Sequence, residues 1–245
     1  MYAEPPLFKS SLATTNRGKV AEVQTFFNSL TVNPNTLLLT LECLTQLPEV
    51  DETATTFLGN ARLKALAAAP LITQGIVLAE DSGFSIPALA GTYGHTPFPG
   101  VCSNRWMTPT IRRQLLGIED DSPIVQAHLS AGIYALLQQQ HLHPQSTQAT
   151  YTSAWVAADA HGNVIFETEG VLNLTVVPPQ TPAGPYGFGY DPITQPASHE
   201  IATLNVPQHH SLSDIPTEIK NQFSHRGKAL RALHQWLIQS YTVKR

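Results

Sequence analysis

The 245-residue chain has only two cysteines, Cys43 and Cys102. They form neither a metal-type spacing nor a disulfide framework, and they fit a reducing compartment. Charge is sparse as well: 13% of residues are Asp, Glu, Lys or Arg, and the net charge is -4. With 14 Lys plus Arg, there is no broad basic footprint for a nucleic-acid polymer, and none is expected as a partner. No apolar run approaches the roughly 20 residues of a membrane span. Residues 1–10 carry Pro5 and Pro6 and no long apolar stretch, so they do not read as a signal peptide. The expectation is a cytoplasmic protein without a membrane partner. Internal repeats are absent, and no break in composition marks independent domains.

What is present describes a globular chain. Hydrophobic residues make up 42%, and the length allows one large domain or two lobes around a cleft. Residues 7–13 read as a first strand. A helix is predicted over 19–30, with Val23, Phe26, Phe27 and Leu30 on one face. A second strand is predicted over 37–41. Thr55 or Thr56 caps a helix that Pro70 ends, and a strand follows over 76–79. Helices are predicted over 109–116, 124–140 and 218–241, the last weakened near Gly227. Strands over 150–158 and 164–177 flank a hairpin turn at 160–163. Helix-strand alternation followed by an antiparallel pair predicts an α/β fold with a mixed sheet.

Two segments carry most of the chemistry. Ala79-Glu80-Asp81-Ser82-Gly83 closes the apolar run Ile76-Val77-Leu78, placing two carboxylates where a buried strand is expected to run out into a Gly turn. Glu52, Glu80 and Asp81 could hold a hard divalent cation, or Asp81 and Ser82 could merely cap the chain after the strand. Gly187-Phe188-Gly189-Tyr190-Asp191-Pro192 offers aromatic rings and a carboxylate suited to a flat ligand.

Three further segments are weaker alone. Thr14-Thr15-Asn16-Arg17-Gly18-Lys19 lies between a strand and a helix, where backbone N–H groups and the Lys19 charge favour an anion; otherwise it is an ordinary turn. It is not a Walker A loop, because Ala13 and Val20 occupy positions that such a loop gives to Gly and Ser or Thr. Asn60 and Lys64 share a helix face, aimed at a ligand or at water. Ser224-His225-Arg226-Gly227 offers donors for a carbonyl or phosphate, or forms a surface turn. His141, His143, His209 and His210 lack a third metal ligand at a suitable spacing and read as solvated loops.

In order, these motifs resemble the inosine triphosphate pyrophosphatase family, the Ham1/RdgB-like enzymes. The likeness runs from about Phe8 to Leu233 and includes Pro99-Gly100-Val101 with Ser103 and Arg105. It implies an elongated α/β protein, a long mixed sheet with flanking helices, and two lobes around a nucleotide-binding cleft within one domain over 1–245, with 1–6 as a loose tail. The implied activity is hydrolysis of ITP, dITP and XTP to monophosphate and pyrophosphate, with Mg²⁺, in a homodimer. Thr14, Thr15, Asn16, Arg17, Gly18 and Lys19 would cradle the triphosphate, with Lys64 adding charge. Glu52, Glu80 and Asp81 would serve the metal, and Asp81 would be the general base. Ser82 would touch the nucleotide. Phe188, Gly189, Tyr190, Asp191, Lys220, His225 and Arg226 would hold the base and its neighbours.

The chain departs from the family pattern at several points. Thr15 replaces a common Gly, Gly59 stands where bacterial relatives usually have Glu, Glu80 replaces a frequent Asp, and Trp106 replaces a usual Tyr. Residues 91–99 add length to a loop. A relative that binds nucleotides with little turnover is the alternative these changes leave open.

Overall fold

Strand β1 (Leu7–Leu12) pairs in parallel with β2 (Leu38–Cys43) on one side and with β3 (Ile76–Ser85) on the other. With β4 (Gln148–Asp159), β5 (Val164–Val176) and β6 (Thr194–Pro196) they form a six-stranded sheet in the order β2-β1-β3-β4-β5-β6. The β5–β6 pair is antiparallel, so the sheet is mixed, as expected. The computed structural model describes residues 7–14, 17–30, 38–44, 46–119, 122–179, 184–187, 189–202, 206 and 211–241. The tail at 1–6 lies outside them, as do Thr15, Asn16, Phe188, His209 and His210.

The chain divides into two compact units. The first comprises Met1–Ser82, Ser153–Gly170 and His225–Arg245; the second comprises Gly83–Thr152 and Val171–Ser224. In the first, helix α1 (Arg17–Leu30) buries Val23, Phe26 and Phe27 against Leu12, Ile76 and Leu78 of the strands. Helix α6 (His225–Tyr241) adds Ala229, Leu230, Leu233 and Leu237, spaced to share one helix face. Each large side chain so buried contributes roughly 1.5–3 kcal/mol. β5 reaches α6 closely at Gly170, where a Cβ would stand 2.1 Å from the His225 carbonyl oxygen.

Helix α2 (Phe57–Ala68) starts at the anticipated cap: the Thr56 side chain accepts a hydrogen bond from the Gly59 amide at 3.0 Å. The turn at 160–163 joins β4 to β5, as expected of the hairpin. In the second unit, α3 (Pro109–Leu116) and α4 (Gln126–Gln139) match the predicted helices. Leu129, Ile133 and Leu137 of α4 join Phe84, Trp106 and Tyr190 in that unit's core.

Two expectations fail. The strand does not run out after Asp81; β3 continues through Ser82 and Gly83 to Ser85. Phe84 and Ile86 are fully buried, and this apolar anchoring outweighs the turn tendency of a lone Gly. The C-terminal helix is also two helices, α5 (Thr217–Phe223) and α6, and the break is not at Gly227. Ser224 takes an extended backbone, φ -63° and ψ 158°, while Gly227 lies inside α6.

Candidate active site

The first unit gathers a cluster of opposite charges around the carboxylates of β3. Glu80 is 4% exposed and Asp81 7% exposed. Because they are consecutive strand residues, their side chains leave opposite faces of the sheet and meet different partners.

Asp81 meets α2. Lys64 Nζ donates to Asp81 Oδ1 at 2.8 Å and to Glu52 Oε1 at 2.7 Å. Asn60 is fully buried; its Nδ2 donates to Asp81 Oδ2 at 3.4 Å, and its Oδ1 accepts from the Ala54 amide at 3.0 Å. Asn60 and Lys64 thus act together, one turn apart, and Asn60 also fixes the loop that carries Glu52. Burial pushes the Asp81 carboxyl above its ordinary value, against the pull of Lys64. Burial also opposes the charge on Lys64, but Asp81 and Glu52 more than offset it and raise its pKa.

Glu80 meets α1 and α6. Its Oε2 accepts from Lys19 Nζ at 2.5 Å, and its Oε1 accepts from Ser153 Oγ at 3.0 Å and Arg226 Nη2 at 3.4 Å. Trp155 Nε1 in turn donates to Ser153 Oγ at 3.1 Å. Burial alone would raise the Glu80 pKa; Lys19 and Arg226 win and hold it well below the carboxylate range. Arg226 Nη1 also donates to Glu22 of α1, and Nη2 lies 3.4 Å from Ser82 Oγ.

Both oxygens of Glu80 accept from cations or a hydroxyl donor, as both oxygens of Asp81 accept from Lys64 and Asn60. Among the described residues, no three His, Cys, Asp or Glu side chains are arranged to hold an ion. Glu52 and Asp81 are two hard oxygen donors that face one ammonium. That set fits a hard divalent cation, which commonly takes one or two carboxylates and fills its shell with water and substrate phosphate oxygens. Gly59 adds no carboxylate: a Cβ there would lie 2.6 Å from Ala54 Cβ, so the loop packs against the bare backbone.

A cavity of about 430 Å³ opens beside this cluster, lined by Thr14, Lys19, Glu52, Lys64 and Glu80, with 47–50 forming another wall. Thr14 and Lys19 thus line the same cavity as Lys64, while Thr15 and Asn16 fall outside the described residues. Arg17 and Gly18 open α1.

The second unit holds the aromatic motif. Asp191 is 7% exposed, and Lys220 Nζ donates to its Oδ2 at 3.0 Å and to the Tyr186 carbonyl at 2.7 Å. Tyr190 does not present a ring to a ligand as the motif suggested: it is 1% exposed. Its ring stacks on Phe84 at 4.4 Å, and its hydroxyl donates to the Ser103 carbonyl. Trp106 Nε1 donates to that same hydroxyl at 2.9 Å, and Tyr151 Oη accepts from the Tyr190 amide at 2.9 Å. Burial pushes both tyrosine hydroxyls up, so they stay protonated donors. Tyr190 therefore anchors the Gly189–Asp191 turn, and the departure at Trp106 supplies one of its hydrogen bonds. Gly189 has φ +61°, the left-handed conformation that favours glycine.

His225 and Arg226 begin α6. The structure brings Arg226 to Glu22, Glu80 and Ser82. Sequence reasoning missed Glu22 and Ser153. Glu22 was findable, since it lies one helical turn after Lys19; nothing local marks Ser153.

The sequence profile of the Ham1 family matches residues 11–236. The chain is 30% identical over 223 residues to a dITP/XTP pyrophosphatase of Nautilia profundicola, covering 91% of this chain and 93% of that protein. It is 28% identical over 241 residues to a dITP/XTP pyrophosphatase of Listeria monocytogenes, covering 94% and 95% respectively. Among solved structures, a HAM1 protein from Coxiella burnetii superposes with a TM-score of 0.72 at 25% identity, covering 96% of this chain and 100% of that one.

Proposed function

The chain belongs to the Ham1 family, and we propose that it hydrolyses non-canonical purine nucleoside triphosphates, ITP, dITP and XTP, to the monophosphate and pyrophosphate. The observation that carries this reading is the meeting of Asp81, Glu52 and Lys64 beside a cavity that Lys19 also lines. Two lysines suit a polyphosphate, and a buried carboxylate with a raised pKa suits a proton acceptor. This set of Asp81, Glu52, Lys64 and Lys19 disfavours the binding-only alternative.

In this reading Lys19 and Lys64 bind and orient the triphosphate. Asp81 accepts the proton of the attacking water, which adds to the α-phosphorus as pyrophosphate leaves. Asn60 keeps Asp81 in place, and Glu80 holds Lys19 and Arg226. A divalent cation, which we take to be Mg²⁺, would be held by Glu52 and Asp81 and would neutralise charge on the phosphate oxygens. Because the chemistry needs positioning and charge rather than a covalent intermediate, these residues suffice. In base choice, the 6-carbonyl of hypoxanthine or xanthine would meet a donor that the 6-amino group of adenine leaves unpaired. Such a mismatch costs about 1–3 kcal/mol or more. No described helix is long and apolar enough to cross a membrane; we further propose a cytoplasmic homodimer.

Pyrophosphate release from ITP, dITP, XTP, GTP and ATP is the test. Turnover of ITP and dITP well above ATP is expected. Orthophosphate in place of pyrophosphate, or a preference for ATP, would overturn the reading.

A further inference from the structure

Trp155 is buried, and its indole N–H can only donate, so in the core it needs an acceptor. That acceptor is Ser153, two residues earlier on the same face of β4, whose Oγ lies 3.1 Å from Trp155 Nε1. Ser153 is itself fully buried. A serine hydroxyl has one proton. With the indole donating to Oγ, that proton goes to Glu80 Oε1, 3.0 Å away on the neighbouring strand β3. The hydrogen bonds therefore run in one direction, from Trp155 through Ser153 to Glu80.

The direction matters at the far end. Glu80 Oε1 accepts from Ser153 and, at 3.4 Å, from Arg226, while Oε2 accepts from Lys19 at 2.5 Å. The half-buried Ser82 hydroxyl adds a further hydrogen bond to the carboxylate. Ser153 is the most constrained of these donors. Its side chain is short and enclosed, and its hydroxyl is aimed by an indole packed with Leu12, Ile76 and Leu78. Lys19 is the opposite: a long, partly exposed side chain that lines the cavity. A donor locked on Oε1 turns Oε2 toward Lys19, so the rigid core sets where the flexible ammonium stands.

Resting on the pyrophosphatase reading, we infer that Ser153, with its hydroxyl aimed by Trp155, is a positioning residue for the polyphosphate: it acts through Glu80 on Lys19 and keeps the Lys19 ammonium at the cavity wall before substrate arrives. Ordering a long side chain at the moment of binding costs affinity, and a lysine already held in place avoids much of that cost. Loss of the hydrogen bond on Oε1 frees the carboxylate to turn and lets Lys19 spread over more rotamers.

The experiment is calorimetric titration with inorganic tripolyphosphate of wild type, Ser153→Ala and Trp155→Phe, and of Lys19→Met with and without Ser153→Ala. Ser153→Ala should bind about three- to tenfold more weakly, the order of one modest hydrogen bond. Trp155→Phe keeps an aromatic ring but removes the donor that aims the hydroxyl; it should lose affinity in the same direction and by less. In Lys19→Met, adding Ser153→Ala should change little, because the residue through which it acts is gone. With ITP as substrate, KM for Ser153→Ala should rise more than kcat falls. Were Ser153 present only to satisfy the indole, Ser153→Ala would lower the melting temperature and leave tripolyphosphate affinity unchanged, and that result overturns the inference. An equal loss in the Lys19→Met background overturns it too, as does a wild type that does not bind tripolyphosphate. Should Ser153→Ala fail to fold, Trp155→Phe with and without Lys19→Met decides by the same two comparisons. The expected coupling in a wild type without ITP turnover would remove the pyrophosphatase reading and leave Ser153 as a positioning residue of a polyphosphate-binding site.

Discussion

Lys64 Nζ lies 2.8 Å from Asp81 Oδ1, joining one face of α2 to the middle of β3. The contact couples the group that neutralises phosphate to the group that takes a proton. Replacing either residue should therefore change both affinity and the pH dependence of turnover.

Asp81→Asn should remove turnover while keeping the fold. Asparagine is nearly isosteric and accepts the Lys64 hydrogen bond, but it cannot take a proton. A loss of about 10²–10⁴-fold in kcat is expected, with a melting temperature close to wild type. Pyrophosphate release and thermal melting check both halves.

The acid limb of kcat/KM should lie above the ordinary aspartate value of 3.8, because burial raises Asp81 and the protonated form cannot act as a base. Lys64 pulls that pKa down, so in Lys64→Met the limb should move to higher pH. A limb that stays put in a folded Lys64→Met protein would assign it to another group.

Lys19→Met and Lys64→Met should weaken triphosphate binding more than monophosphate binding, since the triphosphate has more charge to neutralise. Titration with ITP and IMP in the absence of turnover measures the two losses. Equal losses would remove these lysines from the polyphosphate.

Glu80→Gln should destabilise the protein at neutral pH by about 3 kcal/mol, the order of a broken buried ion pair. The pKa of Glu80 is lowered by folding, so its contribution is full above its ordinary value of 4.5 and is lost as pH falls toward the lowered value. The difference between wild type and variant in urea melts should therefore narrow on the acid side. A gap independent of pH would mean that the carboxylate charge is not what stabilises this site.

Much of this was legible in the chain. The Thr56 cap, the shared face of Asn60 and Lys64 and the mixed sheet follow from local patterns with local causes. What was not legible depends on distant partners. Gly83 reads as a turn until Phe84 is seen locked in a core. Tyr190 sits in a glycine-rich segment that suggests exposure, yet Phe84, Ser103 and Trp106 enclose it. Arg226 meets a glutamate 204 positions earlier in the chain, and no short-range pattern pairs them.

Residues 54 and 59 form an epistatic pair. The Ala54 methyl occupies the space that any side chain at Gly59 would need, with 2.6 Å between Ala54 Cβ and the would-be Cβ. A carboxylate at 59 and the present path of the loop over 52–56 exclude each other. An acidic side chain at 59 would push on Ala54, whose amide donates to Asn60, and through Asn60 would disturb Asp81. A side chain at 59 therefore needs either the loss of the Ala54 methyl or a new path for the loop, so the two positions can change only together.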